Sequence, residues 1–172
     1  MMIKELKGLK PKIQENCFIA ENATLIGDIE IKEKSSVWYG TVIRGDVAPV
    51  RIGKQTNIQD NCTLHTDKDL ILSIGDNVTV GHGCIIHGTN ILGNSIIGMG
   101  SILLNRSVIG KNTLIGAGSL VTEGRIIPEG ELWIGRPAKF VRKLTTEEIA
   151  NLENSAKHYF DNAMEHKGDK ND

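Results

Sequence analysis

Three histidines in the middle of the chain, His65, His82 and His87, are spaced by 17 and then 5 residues. A neutral imidazole binds zinc through one ring nitrogen. Three such ligands leave a fourth position for a water, whose pKa the metal lowers to about 7. Nearby in sequence stand Arg44, Asp46, Gln59 and Asp60, side chains suited to holding an anion or orienting a reacting water. The three cysteines, Cys17, Cys62 and Cys84, are odd in number and show no CxxC spacing, which argues against a disulfide framework and a cysteine-based zinc site. Histidine is therefore the candidate metal chemistry, and it depends on an element that brings residues 65, 82 and 87 together.

That element announces itself as a repeat of six. Counting from Ile19 lands on Leu25, Ile31, Val37 and Ile43; later runs give Ile52, Ile58 and Leu64, then Ile74, Val80 and Ile86, then Ile97, Leu103, Ile109, Ile115 and Val121. Gly follows many of these aliphatics, and a small or β-branched residue often sits four after them. Period six is neither the helical 3.6 nor long strand alternation; it fits short strands separated by turns, one aliphatic per strand pointing inward. The expected fold is mainly β, a left-handed parallel β-helix of about seven coils, three hexapeptides to each coil of 18 residues. Two insertions interrupt the count, three residues around Val47-Ala48-Pro49 and four around Asp67-Lys68-Asp69-Leu70, and both are expected to bulge from corners as loops. One residue is missing between Ile86 and Ile97.

The repeat places the chemistry. His65 follows Leu64 by one and His87 follows Ile86 by one, and the interval of 22 is one coil plus the four-residue insertion. The two histidines should stack about 4.8 Å apart at the backbone on one face. Arg44 follows Ile43 by one and joins that column one coil earlier, with Asp46 two residues on. His82, two after Val80, belongs to another face and stacks over Asp60, with Gln59 beside it. Two faces of one prism do not converge. Three copies around a threefold axis would bring one face of each chain to the other face of its neighbour, so the expected assembly is a homotrimer with interfacial sites, His65 and His87 from one chain and His82 from the next.

After Phe140 the pattern changes. Thr145 and Glu148 form a capping box, and Ile149, Leu152, Ala156, Phe160 and Ala163 follow helical spacing. A helix from about 146 to 166 is expected to pack along the solenoid, with Lys167 to Asp172 frayed and His158 and His166 solvated. The chain thus divides into a β-helix domain, 1–143, and a C-terminal helix and tail, 144–172.

Composition supplies exclusions. Twenty basic and 21 acidic residues leave a net charge of −1, which gives nucleic acid or anionic lipid no basic field. No apolar run reaches membrane-spanning length, and the Met1–Lys7 start does not read as a secretory signal, so the expectation is a soluble cytoplasmic protein. Aromatics are only 4% of 172 residues while Gly numbers 19, which suits a narrow, regular interior.

Taken together, Arg44-Gly45-Asp46, Gln59-Asp60-Asn61, His65, His82 and His87 resemble the gamma-class carbonic anhydrases, over roughly residues 10–143. The resemblance implies zinc, with iron or cobalt as other imidazole-binding ions, held by His65, His82 and His87, and reversible hydration of carbon dioxide to bicarbonate. It implies that Gln59 orients the metal-activated water, that Arg44 and Asp60 pair across the interface, and that Asp46 buttresses Arg44. Val47 stands where the archetypal enzymes carry a glutamate, and the loop after His65 is short, so Asp67, Asp69 and Tyr159 are the remaining candidates for proton transfer. Two alternatives stay open. One is an acyl-CoA-dependent acyltransferase, because Ile134-Gly135-Arg136-Pro137-Ala138-Lys139 is similar to the segment closing many hexapeptide acetyltransferases. The other is a catalytically silent, metal-stabilised scaffold subunit.

Overall fold

A computed structural model describes residues 1–168 of the chain; the expected fraying of 169–172 lies outside the described residues, while Lys167 and Gly168 continue the helix. Short parallel strands stack into a β-solenoid of about seven turns. The inward aliphatics pair coil to coil in register: Leu25 with Ile43, Ile43 with Leu64, Leu64 with Ile86, Ile86 with Leu103 and Leu103 with Val121. A second face repeats this with Ile52, Ile74, Ile91, Ile109 and Ile127. On the third face Val37, Ile58, Val80, Ile97, Ile115 and Trp133 do the same. These side chains are almost wholly buried, and stacking similar aliphatic shapes coil on coil fills the interior, with Trp133 closing the third face at the last coil. Ile91 resolves the missing residue: it takes the core slot five after Ile86 and six before Ile97.

Most buried polar positions of the repeat are satisfied locally, Asn94 Oδ1 being the exception among the described residues. Buried hydroxyls donate to neighbouring carbonyls, as from Thr89 to Ser107 at 2.9 Å and from Thr41 to Gln59 at 2.6 Å. Glycine after the aliphatic has a steric reason at Gly98, where a Cβ would press on the backbone of Ala117 in the next coil.

The two insertions behave differently. Val47-Ala48-Pro49 does not form the expected loop. Val42–Ile52 runs as one strand of 11 residues, and because Gly27 pairs with Gly45 and Ile29 with Val50, the extra residues are absorbed as a bulge opposite Asp28. A bulge also tolerates Pro49, which has no N–H to give to a ladder. Asp67-Lys68-Asp69-Leu70 does leave the sheet, joining strands Thr63–His65 and Leu72–Ile74.

An antiparallel pair, Glu131–Gly135 with Ala138–Lys143, covers the last coil. The chain then turns into the helix Thr146–Gly168. Its start is a reciprocal capping box: the Glu148 N–H donates to the Thr145 hydroxyl at 3.2 Å, and the Thr145 N–H donates to Glu148 Oε2 at 2.8 Å. The helix buries Leu152, Ala156 and Ala163 and runs back along the third face. Several of the scarce aromatics gather there, while Trp133 and Phe140 meet on the terminal antiparallel pair. Tyr159 meets Trp38 edge-on with centroids 5.7 Å apart, and His166, expected to be merely solvated, packs among Phe18, Trp38 and Tyr39 with its Nδ1 3.0 Å from the Tyr39 hydroxyl.

Candidate metal centre

Parallel pairing sets His65 directly against His87. Each follows an inward aliphatic, so both rings point outward, and His65 Nδ1 lies 3.1 Å from His87 Nε2. The rings' other nitrogens are already engaged. His65 Nε2 is 3.0 Å from Asp46 Oδ1, and His87 Nδ1 is 2.7 Å from Asn105 Oδ1. Burial works to raise the pKa of Asp46, but hydrogen bonds from Arg44 and His65 outweigh it and hold the carboxyl below its ordinary value. Asp46 is thus a carboxylate that only accepts. His65 therefore carries its proton on Nε2, and His87, facing an amide oxygen, carries its proton on Nδ1.

That protonation pattern turns two lone pairs toward each other across 3.1 Å. They repel unless a positive charge lies between them, either a second proton on His65 that donates to His87 or a bound metal ion. Metal–nitrogen bonds of about 2.0–2.1 Å each would span such a gap at a bent angle, so the donor set fits a divalent ion bound by imidazole. Hydrogen-bonded partners on the far side of each ring are the usual company of metal-binding histidines, because they fix the tautomer.

Arg44 lies in the same column, beside His65, through the pairing of Ile43 with Leu64, and its guanidinium forms an ion pair with Asp46. The expected stack of Arg44, His65 and His87 is present. So is the other: Val80 pairs with Ile58, and His82 Nδ1 is 2.8 Å from Asp60 Oδ2, which leaves His82 Nε2 free to bind. Asp60 also accepts the Tyr39 N–H at 3.2 Å. Gln59, only 4% exposed, is held by a donor chain in which its amide gives to Asn57 Oδ1 at 3.1 Å and Asn57 gives to Thr79 at 2.9 Å. The Thr79 hydroxyl lies 3.2 Å from that of Ser155 on the helix. Tyr159 reaches the same side; burial, then the charge of Asp60, push its phenol above the usual range. Within one protomer, and among the described residues, no three His, Cys, Asp or Glu side chains converge to hold a metal. Cys62 and Cys84 are buried and donate to the Gly81 and Gly98 carbonyls, so they pack and do not ligate.

Asn105 escaped the sequence reading. It sits two after Leu103, one step beyond the slot that carries the histidines, and its match with Gly88, two after Ile86, was the available signal.

A β-solenoid of hexapeptide repeats bearing histidines on two of its faces defines the class. Residues 71–105 and 107–127 match the family profile described as the hexapeptide repeat of succinyl-transferase. A carbonic anhydrase of Geobacillus kaustophilus is 51% identical over 166 residues, covering 96% of this chain and 91% of that protein. The mitochondrial gamma carbonic anhydrase 2 of Arabidopsis thaliana is 45% identical over 162 residues, 91% of this chain; the chain spans 58% of that relative's length. Among solved structures, a hexapeptide transferase family protein from Anaplasma phagocytophilum superposes with a TM-score of 0.90 at 44% identity, covering 95% of this chain and 96% of that one. The chain belongs to the gamma carbonic anhydrase family.

Proposed function

We propose that this chain is a metal-dependent carbonic anhydrase that hydrates carbon dioxide reversibly at sites shared between the subunits of a homotrimer. The observation that carries the reading is the pair of imidazole nitrogens 3.1 Å apart, each ring engaged by a partner at its other nitrogen. His82, whose Nε2 has no hydrogen-bond partner among the described residues, supplies the third ligand from a neighbour. The bound ion, zinc by this donor set and iron or cobalt as alternatives, supplies an acidified water and a positive centre for the developing anion. The chain's own residues do the rest. Gln59, fixed by Asn57, orients the attacking water. Arg44, held in place by Asp46, lends positive charge where bicarbonate forms and meets Asp60 of the facing chain. Three unpaired cysteines suit a reducing, cytoplasmic setting.

The test mixes two inactive proteins. His65→Ala and His82→Ala each remove a ligand from every site. Dissociated and reassembled together at equal amounts, they regenerate three intact ligands at roughly a quarter of the interfaces. Recovery of bound zinc and of zinc-dependent hydration in stopped flow is expected; a mixture that recovers no zinc overturns the shared site. Zinc-replete wild-type protein showing only the uncatalysed rate overturns the activity and leaves the metal-stabilised scaffold. The acyltransferase alternative, favoured by the name of the Anaplasma relative, predicts coenzyme A binding that is indifferent to zinc removal.

A further inference from the structure

We infer that Asp67 and Asn105 form a positioning relay that selects the metal-binding tautomer of His87, and that the four-residue insertion after His65 exists to deliver Asp67 to it. The inference rests on the metal reading above.

Asp67 and Asn105 are 38 residues apart, yet Asn105 Nδ2 donates to Asp67 Oδ2 at 2.6 Å. The insertion makes this contact possible. It leaves the sheet after His65 and is tied on itself, with the Thr66 hydroxyl donating to the Leu70 carbonyl and the Leu70 N–H donating to the Asp67 carbonyl at 3.2 Å. The loop thereby drops past the His87 coil to the corner that carries Asn105.

A carboxylate has no proton to give, so it accepts only the NH2 end of the amide. The amide oxygen is then the end that faces His87 Nδ1, at 2.7 Å, and an oxygen there requires a proton on Nδ1. His87 Nε2 keeps its lone pair toward His65. Gly88 clears the path: with φ +52° it sits at a left-handed corner, and a Cβ there would collide with the Asn105 amide oxygen and a Leu70 methyl. Without Asp67 nothing fixes which way the amide points. A flipped amide would offer N–H to Nδ1, move the imidazole proton to Nε2 and block the position a metal needs.

His87 thus differs from His65 and His82, whose far nitrogens meet Asp46 and Asp60 directly. A carboxamide between Asp67 and the ring cannot pass a proton as an acid or base, which assigns Asp67 to orientation and not to proton transfer.

The experiment reads the tautomer in metal-free protein by long-range 1H–15N correlation, well above the ordinary imidazole pKa of about 6.5. Wild type should show His87 protonated on Nδ1. Asn105→Leu and Gly88→Ala should shift it toward the Nε2-protonated form, and Asp67→Ala should give a mixture. Asp67→Asn, whose amide can offer either end to Asn105, should also give a mixture, whereas Asp67→Glu, which keeps a carboxylate that only accepts, should retain more of the wild-type form. Zinc affinity, by chelator competition, should fall by about 10–100-fold in Asn105→Leu, about tenfold in Asp67→Ala and Asp67→Asn, and less in Asp67→Glu. A purely structural role for Asn105 would lower thermal stability without moving the tautomer. The relay is overturned if His87 has the same tautomer in wild type, Asp67→Ala and Asn105→Leu, or if zinc affinity is unchanged in Asn105→Leu. Wild-type protein that shows the Nδ1 proton but binds no zinc would instead overturn the metal reading and leave the relay standing.

Discussion

The two histidine-bearing faces are built to opposite standards. On one, His65 is 17% exposed, faces His87 at close range and has its far nitrogen tied to a charged, partly buried Asp46. On the other, His82 is 48% exposed, and among the described residues its ring is hydrogen-bonded to Asp60 only. The first face is pre-organised: both imidazoles are held in place by partners at their far nitrogens. The second is a single ligand presented outward. The difference teaches that, if the proposed site is shared between chains, it is not divided evenly: a close pair of ligands on one face would meet a single exposed ligand from the other.

The severest way to break that comparison is at the exposed ligand. If His82 completes the site in a neighbour, His82→Ala should remove bound metal and catalysis as fully as His65→Ala does, a larger loss than the 10–100-fold typical of changes behind a ligand. Metal analysis and stopped-flow hydration on both variants check it. An exposed side chain with no role would leave zinc content at the wild-type level.

Next come the carboxylates. Asp46→Asn should weaken zinc binding toward the upper part of that 10–100-fold range, because an Asn amide can offer N–H to His65 Nε2 and push the proton onto the nitrogen that faces His87. Asp60→Asn should cost less, since His82 sits half in solvent and water can replace its partner. Chelator competition on the two proteins gives the ranking; equal losses would remove the distinction between a pre-organised face and a loose one.

These contrasts show what was legible from residues alone. The period of six picked out most of the inward aliphatics, though not Ile91 or Ile127, and an offset of one or two from it was enough to stack His65 on His87 and His82 on Asp60, because backbone pairing transmits register from coil to coil. Offsets fail where side chains cross between coils. Asn105 reaches His87 and Asp67 laterally through the space left by Gly88, a contact that spacing cannot encode. The bulge at Val47-Ala48-Pro49 was hidden for a related reason: an insertion count gives the number of extra residues but not whether a strand absorbs them.

Stability offers a smaller test of the same division. Leu64 lies behind His65 in the stack of buried aliphatics, and Leu64→Ala should cost about 2–5 kcal/mol in denaturant unfolding, as buried Leu→Ala changes do. At the other face the helix that contacts Thr79 through Ser155 starts at an exposed cap, and Thr145→Ala should cost about 1 kcal/mol.

The smallest effect is a pH dependence in that cap. Hydrogen bonds from Arg142, then the backbone of Thr145, hold the Glu148 carboxyl at about 2, well below its ordinary 4.5. A depressed acid stabilises the fold while it is charged. Its contribution is complete above the ordinary range near 4.5 and disappears as pH falls through about 2, where folded and unfolded chains are both protonated. Glu148→Gln should therefore melt slightly below wild type at neutral pH, with the gap narrowing as pH falls from about 5 toward 2. The side chains involved are solvent-exposed, so salt should shrink the gap as well. Because this helix carries Ser155 and Tyr159 to the Gln59, Asp60 and His82 side, a loosened cap should broaden the His82 ring signals in NMR while leaving those of His65 and His87 sharp. Broadening of all three together would mean that the two faces are mechanically one.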